Sequence, residues 1–250
     1  MIAIIGASHD DVLYFEKVLF NRREENIVNR FNAYIGTIFN QDILVISGLY
    51  SSILSSAVIT QILSKYYVDL VINVGKCYGV DGETKTGDVA ISESIINANL
   101  DFSLIKNVGL GQLPGFKKEF KVQNDIIGYL KQGVNKRTYV RSYSSIYFSS
   151  DNLSEENKKM ISINRSLFGL TDERIVIDHN SSGIALACTL KDVPYVSIKV
   201  VENKYNTEET LEDYLDVLDR YIDLGKAVVS TIGDISRNDI LKEGKKRNVI

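Results

Sequence analysis

The sequence predicts an α/β fold, a central mixed β-sheet flanked by helices. Three observations carry this. Short apolar runs rich in β-branched residues recur at 2–5, 70–73 and 196–201. Segments with apolar residues at helical spacing lie between them. Prolines are confined to Pro114 and Pro194, and no repeat, low-complexity tract or flexible linker breaks the pattern.

Taken in order, residues 2–5 read as a buried strand and 11–20 as the helix after it. Residues 34–39 and 42–47 read as a hairpin around Asn40 and Gln41. Residues 51–65 are helical, with Ile53, Ala57, Ile62 and Leu63 as the apolar positions. A buried strand at 70–73 and another at 87–96 follow. Residues 125–132 look helical, 139–148 alternate as a strand, and 174–177 make a short strand before a helix at 182–190. Residues 196–201 form a strand. The last helix begins near Thr207, with Leu211, Leu215, Leu218 and Ile222 on one face. These elements make one domain over 1–230. Residues 231–250 form a C-terminal tail whose basic cluster, 242–247, reads as solvated.

The 250 residues are 44% hydrophobic and 24% charged, with a formal net charge of −3. That size buries a core without staples. The charge gives no reason to expect nucleic acid as a partner. Cys77 and Cys188 read as small buried hydrophobes, not as a disulfide framework. No apolar segment reaches the length of a membrane span and no targeting pattern opens the chain, so a cytoplasmic protein is expected. Neither a metal nor a cofactor is expected.

In sheets of this kind ligands sit at the carboxyl ends of strands. That rule selects residues 6–11, 75–79, 149–153, 178–182 and 202–205. Asp10 and Asp11 follow a tight turn at Gly6, where acids suit a helix N-terminus. His9, in the same turn, reads as exposed. Ser47 and Gly48 end a strand. Lys76, Cys77 and Tyr78 stand between Gly75 and Gly79, so that backbone which could approach a ligand closely carries two bulky side chains. Lys76 also offers a cation to an anion. Thr86, Gly87, Asp88 and Val89 read as a turn of the scaffold. Gly111, Gln112, Leu113, Pro114 and Gly115 form a proline turn. Asp178 caps the next helix through Ser181 or Ser182, or holds substrate.

The starting run Ile4-Ile5-Gly6-Ala7 with Asp10-Asp11, and the string Gly111-Gln112-Leu113-Pro114-Gly115, resemble the 5'-methylthioadenosine/S-adenosylhomocysteine nucleosidases of the nucleoside phosphorylase superfamily. The resemblance covers roughly residues 2–225. It implies that Asp11, an aspartate where the family has glutamate, positions the attacking water. It also implies that Ser47, Lys76, Cys77, Tyr78 and His179 stand at substrate-facing positions. Leu153 falls where the family has an aromatic residue stacked on the purine. The loop bearing Pro114 is one that relatives contribute across a dimer interface, which implies a homodimer. Asp178 keeps a carboxylate of the family's Val-Glu-Met-Glu segment.

Two departures bear on catalysis. Asn180 replaces the glutamate that holds the ribose hydroxyls, and Asn203 replaces the general acid that protonates the purine. An amide hydrogen-bonds but does not donate an acid proton. Glu202 alternates to the opposite face of its strand and does not substitute without a register shift. Two readings stay open. One is a hydrolase that cleaves the N-glycosidic bond of a 5'-modified purine nucleoside. In it Asp11 activates water and Asn203 bonds the base without protonating it. The other is a catalytically inactive homologue that binds a nucleoside or a protein partner. In either case the two amides predict weak hydrolysis of methylthioadenosine.

Overall fold

All five residues of β1 (Ile2–Gly6) are buried, as an apolar run without alternation requires of a strand covered on both faces. It lies between β4 (Gln41–Ile46) and β5 (Leu70–Gly79), parallel to both. Beyond β4 the sheet continues antiparallel through β3 (Phe31–Ile38) to β2 (Phe20–Val28). On its other side β5 runs parallel to β10 (Tyr195–Val201). From β10 the pairing passes to β6 (Val89–Asn97), β8 (Ser142–Ser149) and β9 (Ile175–Asp178), and β9 returns to β5. Five strands of the mixed ten-stranded sheet thus close on themselves, and β1, β4, β3 and β2 extend as an open wing. The short β7 (Phe120–Lys121) pairs with β6. This computed structural model describes residues 1–80, 84–137, 141–163, 165–168, 170, 174–202 and 211–237.

The helices flank the sheet in two groups. α6 (Leu211–Arg237) packs on α1 (His9–Val18) and α3 (Asn124–Arg137), and α2 (Ser52–Lys65) packs on α5 (Ser181–Leu190). The second contact depends on small residues. A β-carbon on Gly183 would lie 1.9 Å from the Ser52 carbonyl oxygen. The main core spans both helix groups, and a second cluster gathers Ile96, Phe148, Ile161 and Phe168 beside α4 (Glu155–Ile163). Among the described residues no helix is long and apolar enough to cross a membrane.

Several boundaries differ from the sequence reading for physical reasons. α1 starts at His9 because Ser8 supplies its cap. β5 runs on to Gly79, so Gly75, Lys76, Cys77 and Tyr78 belong to a strand and not to a separate turn. β2 was not anticipated, because Arg22, Arg23, Glu24 and Glu25 give it no apolar alternation. α4 was missed as well. α6 continues through residue 230 to Arg237, with Leu224, Ala227, Val228, Thr231, Ile232 and Ile235 buried along one stripe. Tyr139, Asn203, Thr207 and the basic cluster 242–247 lie outside the described residues.

Candidate active site

At the end of β1, Ser8 and Asp11 form a reciprocal cap. The Asp11 N–H donates to Ser8 Oγ at 3.3 Å, and the Ser8 N–H donates to Asp11 Oδ2 at 2.8 Å. Such a cap stabilises a helix by about 1 kcal/mol. Here it also fixes the direction of a buried carboxylate, whereas Asp10 beside it is exposed. The Asp11 carboxylate lies directly against Gly75. A β-carbon there would sit 2.8 Å from Asp11 Cγ, and the φ of +132° at Gly75 is one that side chains disfavour. Burial raises the Asp11 carboxyl above its ordinary pKa, against the pull of the Ser8 N–H and of the Lys199 ammonium.

Lys199 is the residue the sequence reading missed. The β5–β10 register places it beside Gly75, and it is fully buried. Its Nζ lies 2.5 Å from Asp178 Oδ2 and donates to Asn180 Oδ1 at 2.8 Å. The available signal was a lone ammonium inside the apolar run of residues 195–201, since a buried charge requires a partner. Asp178 also accepts the Ser181 N–H at 3.3 Å and the Ser181 hydroxyl. It therefore caps α5 and neutralises Lys199 at once. Asn73 Nδ2 is 3.0 Å from each of Asn180 Oδ1, Ser181 Oγ and Ser197 Oγ. Asn180 Nδ2 donates to the Leu49 carbonyl at 3.1 Å. With both ends of its amide engaged, Asn180 ties β5, α5, β10 and the turn before α2 into one polar network.

The other sequence-predicted positions fall around this network. Lys76 Nζ is 3.0 Å from Glu202 Oε2, and Glu202 is buried. Lys76 stands opposite Val200 in the register, so alternation puts this ion pair on the face away from Lys199. Cys77 is fully enclosed, its thiol near the Val200 carbonyl, and burial pushes that thiol up. Tyr78 is almost wholly buried. The His179 ring stacks on Tyr50, with centroids 6.1 Å apart and planes 12° apart. Neither of its nitrogens has a hydrogen-bond partner, and burial lowers its pKa to about 4. Ser47 lines a cavity between α1 and the β2–β3 hairpin. Leu153 packs against the second core cluster, and Pro114 is exposed on its loop. Asp151, at the end of the β8 segment, accepts the Ser52 N–H at 2.9 Å and the Ser52 hydroxyl at 2.8 Å, which anchors α2. Among the described residues no cluster of three or more His, Cys, Asp or Glu could hold a metal.

The family model of the phosphorylase superfamily matches residues 1–232. The chain belongs to the phosphorylase superfamily. Among curated superfamily relatives, a 5'-methylthioadenosine/S-adenosylhomocysteine nucleosidase from Buchnera aphidicola is 27% identical over 84% of this chain and 88% of its own. The nucleosidase of Neisseria meningitidis, solved with methylthio-immucillin-A, superposes with a TM-score of 0.81 at 19% identity, over 93% of this chain and 98% of that one. The nucleosidase of Colwellia psychrerythraea, solved with adenine, gives 0.80 at 18% identity, over 93% and 94%. At these identities the solved structures establish the superfamily fold: a mixed sheet flanked by helices.

Proposed function

We propose that the chain is a purine nucleosidase that hydrolyses the N-glycosidic bond of a 5'-modified purine nucleoside. The observation that carries this is the Asp11 carboxylate held against Gly75 with the buried Lys199 beside it. Burial makes Asp11 a stronger base than an exposed aspartate. The Lys199 ammonium has three donors, of which Asp178 and Asn180 take two. The third is left for a water or a sugar hydroxyl. Water attacks the anomeric carbon and gives its proton to Asp11, while the bond to the base breaks and its electron pair leaves with the base. The Asp11 carboxylate favours the positive charge that develops on the sugar.

The base leaves without the acid that the resemblance assigns to the position of Asn203. A missing general acid typically costs about 10²–10⁴-fold in rate, so methylthioadenosine is a slow substrate. The relatives named above are nucleosidases, and they lend no support to an inactive homologue. Purine release from methylthioadenosine, S-adenosylhomocysteine and inosine tests the reading. At least one should be cleaved, and Asn203→Asp should accelerate cleavage of the adenine nucleosides. Cleavage of none by the folded protein overturns it.

The same reading extends to a cytoplasmic homodimer. Leu104 is fully exposed, and Phe102 and Ile105 beside it are exposed too, on the segment leading to Pro114. Tyr50 and Ile53, next to the site, are 59% and 76% exposed. Two apolar sets of this kind suit mutual burial across a two-fold axis. Sedimentation showing only monomer at micromolar concentration overturns it.

A further inference from the structure

We propose that the cavity between the start of α3 and strands β6 and β8 is a second binding site, one that takes a small monocarboxylate. It stands apart from the nucleosidase reading and shares no residue with the network of Asp11, Asp178 and Lys199. The cavity measures 630 Å³, within the range of small-ligand sites. Arg174, on its wall, precedes β9, whose other end carries Asp178. Four residues of extended chain set the two about 13 Å apart.

Two side chains mark the site. The register of β6 against β8 slips at Glu93, and the slip sets Ser94 beside Ile146. Ser94 is 2% exposed and lines the cavity, and its hydroxyl has no hydrogen-bond partner among the described residues. A buried hydroxyl left unpaired is destabilising, and a bound acceptor relieves it. Directly across the β6–β7 pairing stands Lys121. Cross-strand partners project to the same face, with β-carbons about 5 Å apart. The Lys121 ammonium also lines the cavity and makes no ion pair among the described residues. Just beyond it α3 begins. No side chain among the described residues accepts from the N–H groups of Asn124, Asp125 or Ile126 in its first turn. A helix start favours negative charge nearby. Hydroxyl, ammonium and helix start together fit a carboxylate.

The rest of the lining sets the charge and the body of the ligand. Lys121 and Arg174 are balanced by Glu93 and Glu119, and the start of α3 tips the sum slightly positive. A single carboxylate matches that balance, whereas further negative charges meet the two glutamates. Ile146 and Leu170 supply an apolar wall for the body.

Ligand-observed NMR titrations with benzoate, its neutral analogue benzamide and the tricarboxylate citrate test this. The wild-type chain should bind benzoate at millimolar concentration and benzamide about tenfold more weakly, the effect of roughly one charge-assisted hydrogen bond. Citrate should bind more weakly than benzoate, and Glu119→Gln should narrow that gap. Ser94→Ala and Lys121→Met should each weaken benzoate about tenfold and leave any hydrolase rate unchanged. Ser94→Ala removes an unpaired hydroxyl and should fold as well as the wild type, which keeps loss of binding distinct from loss of fold. No benzoate binding, equal binding of benzoate and benzamide, or benzoate binding that survives both substitutions overturns the site. So does displacement of benzoate by adenine, which would put the carboxylate in the nucleoside site.

Discussion

The carboxylate of Asp11 occupies the place that a side chain on Gly75 would fill. The catalytic carboxylate and the bare backbone of β5 are therefore one device. Gly75→Ala pushes a methyl group to 2.8 Å from the carboxylate carbon, at a φ that alanine disfavours. The expected result is a loss of about 1–3 kcal/mol in stability and a fall of at least about 10²-fold in any hydrolase rate. Urea unfolding and initial-rate assays read the two effects. An alanine variant with wild-type activity would separate Asp11 from the chemistry.

Lys199 and Asp178 form a buried pair. Removing one partner leaves the other charge uncompensated, so Lys199→Met should cost about 3–5 kcal/mol. Adding Asp178→Asn to that variant should recover part of the loss, because no buried charge is then orphaned. A double variant as unstable as the sum of both singles argues against the pair.

Asp11 also carries a pH signature. Burial raises its carboxyl, so the folded state favours the protonated form. That contribution is complete below the unfolded-state value of 3.8 and is lost as pH rises through the folded value. Asp11→Asn keeps an acceptor for the Ser8 N–H and never ionises. Its melting temperature relative to wild type should rise as pH climbs above 3.8, while hydrolysis disappears. A difference independent of pH contradicts the assignment.

His179 titrates the opposite way. Its folded value of about 4 lies below the unfolded 6.5. As pH falls below 6.5 the unfolded chain takes up a proton that the folded one refuses. Stability should fall by on the order of 3 kcal/mol by about pH 4. His179→Met should abolish that component of acid sensitivity. Equal acid sensitivity in the variant and the wild type would show that the imidazole is not excluded from solvent.

The strands legible in the sequence were those whose burial is uniform. β1 and β10 are apolar throughout except Ser197 and Lys199, and their neighbours in the sheet need nothing else from them. α2 and α5 were legible from spacing and from the caps at Ser51 and near Ser181. β2 was illegible because pairing with β3, not side-chain burial, makes it a strand. Within the site, Asp11 and Asp178 could be read because Asp11 sits in the first turn of a helix after a tight turn and Asp178 ends a strand just before a helix. Lys199 could not, because its role comes from the register between β5 and β10, a relationship between residues far apart in the chain. The same holds for Asn180. Its substitution suggested a lost ribose contact, whereas its amide proves to be bound to Asn73, Lys199 and Leu49.

β2 is the outermost strand of the open wing, and among the described residues no further strand pairs with its free side. Arg22, Arg23, Glu24 and Glu25 run along it, and its register against β3 slips twice. A charged, irregular border is a poor template for another chain's strand. On the far side of the sheet β9 has already returned to β5, which leaves no loose border in the ring. A ten-stranded sheet with an apolar interior can thus remain crowded with its own kind in solution without propagating into fibres.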